Sequence, residues 1–363
     1  MPTDFLIVGG GLAGACAALW LADHGDVTLL EAERPASGAS GAAAGLVNPF
    51  MGRKAKPSWR FEEALDALRA SVDRAGIADL LRADGLLRPA RDAKQAATFC
   101  EQTEAFRDHL DWISAPVLRE RYPDLDAPHG GLWVKRGGAV DLSNMVESLA
   151  GGAERRGAAI RTGCRVVQWG EQSEHAWVEL DSGERLDARM VLLALGDGFR
   201  HFPELTALGL HRIKGQTIRL ARPTDLGTLP PLSGFGYVVP EPAPAHAGGE
   251  TLVVGSSYEH DFADLAPSEA QSAALRAKAA RMVPALAGAP LLDARAGVRV
   301  TVPGDRMPLL GPLPGRKRIW ILTGLGSKGL MMAPLLARTL PHYLTNPSTI
   351  PVDVHVGRRL SPK

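Results

Sequence analysis

The chain has 363 residues, of which 45% are hydrophobic and 22% charged, with 41 basic residues against 40 acidic ones. This ordinary globular composition excludes a disordered chain. A formal net charge of +1 excludes a globally basic nucleic-acid or membrane-surface protein, while leaving room for a local patch. The length predicts two packed domains, and the 40 glycines, lacking a G-X-Y period, belong to turns and close backbone contacts.

In chain order, Phe5–Val8 reads as a short buried parallel strand that runs into Gly9-Gly10-Gly11-Leu12-Ala13-Gly14. A helix is predicted over Ala15–Ala22. The breaker His24-Gly25-Asp26 follows, then a second apolar run, Val27–Leu30, which Glu31 ends. Strand, G-x-G-x-x-G, helix, strand and acid within about thirty residues is the pattern of a dinucleotide-binding unit. Gly9 serves the tight turn, Gly11 lets a pyrophosphate approach the backbone, and Gly14 lets the helix pack close to the strand. The helix N-terminus faces the phosphates. Glu31 stands where a carboxylate hydrogen-bonds ribose hydroxyls and would repel a 2′-phosphate.

The next stretch, Arg34 to Gly45, is made of small and hydroxyl residues where a classical NAD domain would continue with a helix and strand. Such a segment can follow a flat, extended ligand, with Ser37 and Ser40 as donors, or it can be a flexible linker. Leu12–Ala22 is not read as a signal peptide, because no Lys or Arg precedes it and Asp4 does. No run reaches the roughly 20 apolar residues of a spanning helix, so a soluble, cytoplasmic protein without a membrane partner is expected. Cys16, Cys100 and Cys164 form no C-x-x-C pair, which argues against a disulfide framework, a zinc site or a dithiol centre. His211, His260 and Asp261 have no ligand spacing, so no metal is expected.

The sequence GGGLAG, then Glu31, then ASGASG resembles the D-amino acid oxidase-like family of FAD-dependent oxidoreductases. That family includes glycine oxidase, sarcosine oxidase and the FAD domain of the bifunctional tRNA 5-methylaminomethyl-2-thiouridine biosynthesis protein. The likeness continues through Gly138-Ala139-Val140-Asp141, Val191–Gly196, Lys214-Gly215-Gln216, Gly297–Thr301, Asp305–Gly311 and Gly324–Leu330. It implies an α/β architecture in which a Rossmann-type FAD-binding domain is interleaved with an α+β substrate domain on a mostly antiparallel sheet. The FAD domain would take residues 1–50, 137–205 and 295–345, and the substrate domain 51–136 and 206–294. A tail without a role would take 346–363. Helical patterns over Phe61–Arg82 and Pro267–Leu286 would cover the substrate sheet. Gly236–Pro240 and Val253–Glu259 would alternate as strands, with a hairpin loop over Glu241–Gly249.

The resemblance further implies FAD contacts from Gly9, Gly11, Leu12, Ala13, Gly14, Glu31, Ala32, Ser37, Ala39, Ser40, Gly45 and Leu46. Val166 and Val167 would serve the adenine end, and Ala194, Leu195 and Gly196 would lie beneath the cofactor. Gly324, Gly326, Ser327, Lys328, Gly329 and Leu330 form a turn opening a helix, suited to the negative charge of a reduced flavin. Arg299 would bind a substrate carboxylate through two parallel hydrogen bonds, unless it pairs structurally with Asp305. Lys328, Tyr237 and Tyr258 are candidate catalytic groups. Asn48, Arg53 and Lys54 are candidate substrate contacts. Arg53, Lys54, Lys56 and Arg60 put four cations beside Trp59, which is either a solvated loop or a site for an anionic substrate.

The activity implied is oxidation of the C–N bond of an amine next to a carboxylate, glycine-, sarcosine- or D-amino-acid-like. Hydride would pass to flavin N5, the imine would hydrolyse, and oxygen or another acceptor would reoxidise the flavin. One alternative is a stand-alone enzyme acting on a carboxymethylaminomethyl-uridine in tRNA. An alternative of another class is a non-catalytic flavin-binding redox sensor.

Overall fold

The computed structural model describes residues 3–241 and 250–359. The expected hairpin loop after Glu241 therefore lies outside the described residues. Two eight-stranded sheets organise the chain. In the first, Thr3–Val8 lies between Val27–Leu30 and Arg185–Leu193, all parallel, with Ala159–Arg161 at one side and Ile319–Thr323 parallel to Arg185–Leu193. Arg185–Leu193 also runs back into an antiparallel meander with Ala176–Leu180 and Val166–Glu171. The strand ends Val8, Leu30 and Leu193 are apolar and buried because helices and the meander cover both faces, as a Rossmann-type parallel sheet requires.

The second sheet runs in the order Leu291–Thr301, His211–Ala221, Thr251–Gly255, Tyr237–Glu241, Leu232–Ser233, Leu86–Pro89, Gly131–Val134, Leu110–Ile113. It is antiparallel except where Leu232 meets Leu87. Leu291–Thr301, the strand that carries Arg299, pairs along its length with His211–Ala221 in this second sheet. The sequence division at 294/295 puts most of that strand with the first unit.

Three local expectations need correction. The pattern over Phe61–Arg82 becomes a helix only over Phe61–Arg74, which Gly76 terminates with a φ of 68°. Its buried face, Ala64, Leu65, Leu68 and Val72, joins the core of the helices Leu12–Leu21 and Gly329–Thr345, so it does not cover the substrate sheet. Glu269–Ala280 does cover that sheet, capped by Ser268 and ended before Pro284. The strand Thr251–Gly255 does not alternate, since every residue is buried. Leu252 and Val254 face that helix, and Val253 faces Ala44 and Ala139 from the small-residue segment and its neighbour. The expected strand stops at Gly255, and only Glu259 rejoins the sheet, bridging Lys214. The C-terminal tail, for which the sequence suggests no role, packs Ile350, Val354 and Val356 into the cores, and Leu310 N–H donates to the Val354 carbonyl at 2.7 Å.

Candidate active site

Phosphate recognition by backbone needs a turn that exposes amides, and the first strand leads into one. Gly9 has a φ of 109°, and a Cβ there would collide with the Ala194 carbonyl. One at Gly14 would collide with the Gly9 carbonyl. At Gly11, by contrast, the nearest atom is Ser40 Oγ at 3.5 Å, and at Gly38 nothing lies within 4 Å. Gly9 and Gly14 are demanded by the turn's own packing, whereas Gly11 and Gly38 leave backbone open to a ligand. Leu12 N–H, at the start of the helix, donates to Ser40 Oγ at 3.1 Å. Glu31 accepts from Gly10 N–H at 2.6 Å and from Glu33 N–H at 3.0 Å, which holds its carboxylate at the end of the second strand. Ala32 follows at the bend, and Ser37 Oγ lies 3.5 Å from Glu31 Oε1, the oxygen that accepts from Glu33 N–H.

The small-residue segment is not a linker. Ala39–Ala42 forms one helical turn packed between the second sheet's strands Leu291–Thr301 and His211–Ala221 and the helix Leu142–Glu154. A Cβ at Gly297 would stand 2.8 Å from Ala39 Cα, and Thr217 Oγ1 donates to the Ala42 carbonyl at 2.9 Å. Gly45 turns at a φ of 64° under the Val140 carbonyl, and Leu46 pairs with Ala139. Smallness here is a packing requirement imposed from both sides.

A second helix N-terminus arrives at the same place. The turn Gly324-Leu325-Gly326-Ser327-Lys328 opens the helix Gly329–Thr345. Gly326 N–H donates to the Val300 carbonyl at 2.8 Å, which ties the turn to the Arg299 strand. A Cβ on Gly329 would stand 3.4 Å from Leu12, so the starts of two helices abut. Their partial positive ends lie side by side next to the open backbone of Gly11, an arrangement suited to a phosphate-bearing, anionic cofactor. Leu330 is buried behind this turn, while Ser327 is exposed at its tip. Ala194, buried, and Leu195 close the first sheet's end below it, with Gly196 exposed.

Arg299 is half-buried on the neighbouring strand, and its guanidinium lies across Gly215, where a Cβ would overlap it. Nη2 donates to Ser256 Oγ at 2.6 Å and Nη1 to the Ser257 carbonyl at 3.2 Å. The Tyr258 ring lies 4.6 Å from the guanidinium carbon. Among the described residues no carboxylate lies within 4 Å of Arg299. Asp305 instead pairs with Arg358 of the tail at 3.3 Å. A half-buried guanidinium held by neutral acceptors retains its full charge for an incoming anion. Tyr237 packs beside Gly255. Burial pushes its phenol up to about 12, although Arg299 and a hydrogen bond with Ser256 pull it down.

Other candidates are placed differently. Lys328 sends its ammonium to the Arg306 carbonyl at 3.0 Å, and burial holds it below the ordinary lysine value. Asn48 Oδ1 accepts from Phe50 N–H at 3.2 Å, a local turn contact. Arg53 and Lys54 are exposed in the tight hairpin joining Phe50–Met51 to Lys56–Pro57. Arg53 lies 3.8 Å from Asp92, and Arg60 pairs with Glu63, so the run carries less free charge than its sequence suggests. Val166 is buried in the meander and Val167 is 47% exposed. Tyr258 is 60% exposed, so it covers Arg299 from the solvent side and is not a half-buried strand residue.

Sequence reasoning missed Ser256 and Ser257, which hold Arg299, and Arg91 and Arg281, which flank Phe235 at 5.1 and 3.6 Å. The serines carry no spacing signal. The arginines are nearly two hundred residues apart and meet only in the fold.

Comparison with known proteins identifies the family. A family model described as FAD dependent oxidoreductase matches residues 4–341. The tRNA 5-methylaminomethyl-2-thiouridine biosynthesis bifunctional protein of Burkholderia orbicola is 31% identical over 377 residues, covering 93% of this chain and 57% of that protein. Its counterpart in Thiobacillus denitrificans is 29% identical, covering 99% and 59%. The chain thus spans about three-fifths of the length of these curated relatives. Among solved structures, glycine oxidase from Geobacillus kaustophilus superposes with a TM-score of 0.81 at 23% identity, covering 95% of each chain. L-proline dehydrogenase from P. horikoshii gives 0.81 at 18% identity, covering 97% of this chain and 96% of that one. With the family model spanning nearly the whole chain, this protein belongs to the D-amino acid oxidase-like FAD-dependent oxidoreductases.

Proposed function

We propose that the chain binds FAD at the abutting helix ends and oxidises the C–N bond of an amine that lies next to a carboxylate. The carrying observation is Arg299, a half-buried guanidinium with neutral hydrogen-bond partners and no carboxylate of its own, on a strand tied to the turn that opens the last helix. FAD fits the residues present. Gly11 and Gly38 leave backbone uncovered, two helix N-termini supply positive potential, and Glu31 stands at the ribose end. In this reading Gly9, Gly11, Leu12, Ala13, Gly14, Ser40 and the 324–330 turn hold the cofactor. Val166 and Val167 take its adenine end. When bound, FAD supplies a hydride acceptor for the carbon beside the amine.

The protein's own part is orientation. Arg299 takes the carboxylate through its free edge, and Tyr258 shields that ion pair from water. Tyr237 stays protonated at working pH and serves as a hydrogen-bond donor, not a base. Lys328, directed at the Arg306 carbonyl, stiffens the loop under the last helix and adds its charge from that position. The division into a cofactor unit (1–50, 137–205, 295–345) and a substrate unit (51–136, 206–294) belongs to this proposal, as does oxygen or another acceptor for reoxidation.

One observation favours a second reading, in which the amine is a carboxymethylaminomethyl group on a tRNA base. Arg91 and Arg281 both lie over Phe235, and burial, then the nearby charge of Arg53, holds the Arg91 guanidinium below the ordinary arginine range. Cations with an aromatic suit a nucleic-acid backbone, and the curated relatives are named for tRNA biosynthesis. Anaerobic mixing with glycine, sarcosine, D-amino acids, proline and undermodified tRNA, watching the flavin band, separates these readings. Bleaching by a small acid supports the first and bleaching by tRNA alone the second. No bleaching by any of them favours a redox sensor. A preparation that takes up no FAD overturns the proposal at its root.

A further inference from the structure

Both hydrogen-bond partners of Arg299, and the ring that stacks on it, belong to one stretch, Ser256–Ser268, which joins the strand Thr251–Gly255 to the helix Glu269–Ala280. That stretch is held at both ends by a single residue. Gln216, fully buried on the strand His211–Ala221, donates its backbone N–H to Ser257 Oγ at 2.8 Å and accepts from Ser257 N–H at 3.0 Å. Its side chain reaches the other end. Nε2 donates to the Ser268 carbonyl at 3.0 Å and to Ser272 Oγ at 2.7 Å, and Oε1 accepts from Ser268 N–H at 2.8 Å. Two residues earlier, Lys214 clasps the middle, through a backbone pair with Glu259 and a bond from Nζ to the Ala266 carbonyl at 2.8 Å.

A buried amide in a sheet core is costly unless every polar atom is matched, and here both donors and the acceptor are. An apolar residue of the same size would fill the space but leave the Ser268 amide without its partner, while the Ser268 carbonyl would keep Ser272 N–H and Oγ. Gln216 itself makes no hydrogen bond to Arg299, so whatever it does for Arg299 passes through the stretch it closes.

We propose that Gln216 is a positioning residue for Arg299. Its backbone holds Ser257 and its side chain holds Ser268, the end that a substitution here releases; together they fix the Ser256 hydroxyl and the Ser257 carbonyl, and through them the direction in which the guanidinium meets a substrate carboxylate. This rests on the reading of Arg299 as the carboxylate contact.

The test uses the FAD-loaded full chain and compares wild type, Gln216→Leu, Arg299→Ala and the double variant. Acetate and its neutral counterpart acetamide are titrated against the flavin absorbance band, with melting followed by circular dichroism. Arg299→Ala is expected to weaken acetate by about 30-fold or more and leave acetamide unchanged. Gln216→Leu is expected to weaken acetate about 5- to 20-fold, leave acetamide within about twofold, and have less than about twofold effect when added to Arg299→Ala. Equal weakening of both ligands, or the same effect in both backgrounds, overturns the positioning role while leaving Arg299 intact. An unchanged acetate affinity in Arg299→Ala overturns the carboxylate reading and this inference with it. Should Gln216→Leu fail to fold, Ser272→Ala removes a single bond to the same amide. It is expected to weaken acetate about threefold without affecting acetamide, and no change there overturns the proposal.

Discussion

The turn at Gly9–Gly14 and the wall around Arg299 are built on opposite principles. The turn uses contiguous backbone, so its chemistry is set by where a Cβ fits and where it does not. The wall uses side chains from residues 216, 237, 256–258 and 299, which belong to separate strands and one connecting stretch. Backbone amides can hold an anion whatever the side chains, provided the turn forms. A lone guanidinium recognises an anion only when its neighbours point it. The first region should therefore break all at once, and the second by degrees.

The largest effect is expected at Gly9→Ala. Its Cβ meets a backbone carbonyl that cannot yield, so folding should lose about 3 kcal/mol or more, seen as little soluble flavoprotein. Gly11→Ala sharpens the contrast. Its Cβ meets only a hydroxyl at 3.5 Å, so the apoprotein should melt within a few degrees of wild type while FAD affinity falls about tenfold. Unaltered FAD affinity in Gly11→Ala would falsify the open-backbone cradle.

On the other wall, Arg299→Ala should raise KM for the carboxylated amine about 30- to 150-fold, or about 2–3 kcal/mol, and Arg299→Lys should recover only part of it. The same KM for both variants and wild type would remove the guanidinium from substrate binding. Ser40→Ala tests the contact that joins the turn to the small-residue segment. Losing the acceptor for Leu12 N–H should cost about 1 kcal/mol, read by denaturant midpoint.

Alkaline pH probes Tyr237. Its folded phenol titrates near 12, above the ordinary tyrosine value of 10, so its contribution to stability is complete below pH 10 and is lost as pH rises toward 12. Tyr237→Phe should flatten that decline, and an unchanged alkaline melting profile would show that the phenol is not buried as described. The smallest effect on small-molecule turnover is expected from neutralising Arg53, Lys54 and Lys56 together, which should leave KM within about twofold. If RNA is bound, the same variant should reduce the steepness of the salt dependence by up to about three phosphate contacts.

Much of the fold was legible because its signals are local. The apolar run Phe5–Val8, the glycine turn and Val27–Leu30 are close in sequence and pair in space, so their spacing dictates a parallel unit. The Gly324–Gly329 turn was legible for the same reason. The pattern over Phe61–Arg82 predicts a helix, and Phe61–Arg74 is one, but it packs in the core of the first unit's helices and not on the substrate sheet. An amphipathic face says that something covers it, not what. The strand Thr251–Gly255 was expected to alternate because periodicity cannot reveal that a second layer, Ala44 and Ala139, closes over its other face. The charge of the run from Arg53 to Arg60 looked larger in sequence than in space, since Asp92 and Glu63 reach it.

By itself, the sequence determined the class of fold, the glycine turn and the family, because these depend on the order of neighbouring residues and on where a side chain is forbidden. Only the tertiary structure decided that Arg299 faces no carboxylate, that Asp305 belongs to Arg358, and that Gln216 closes the stretch that aims the guanidinium. Those relations join residues 43 to 56 positions apart through a few hydrogen bonds. Such pairings leave no periodic trace in a chain and exist only once the two sheets have packed.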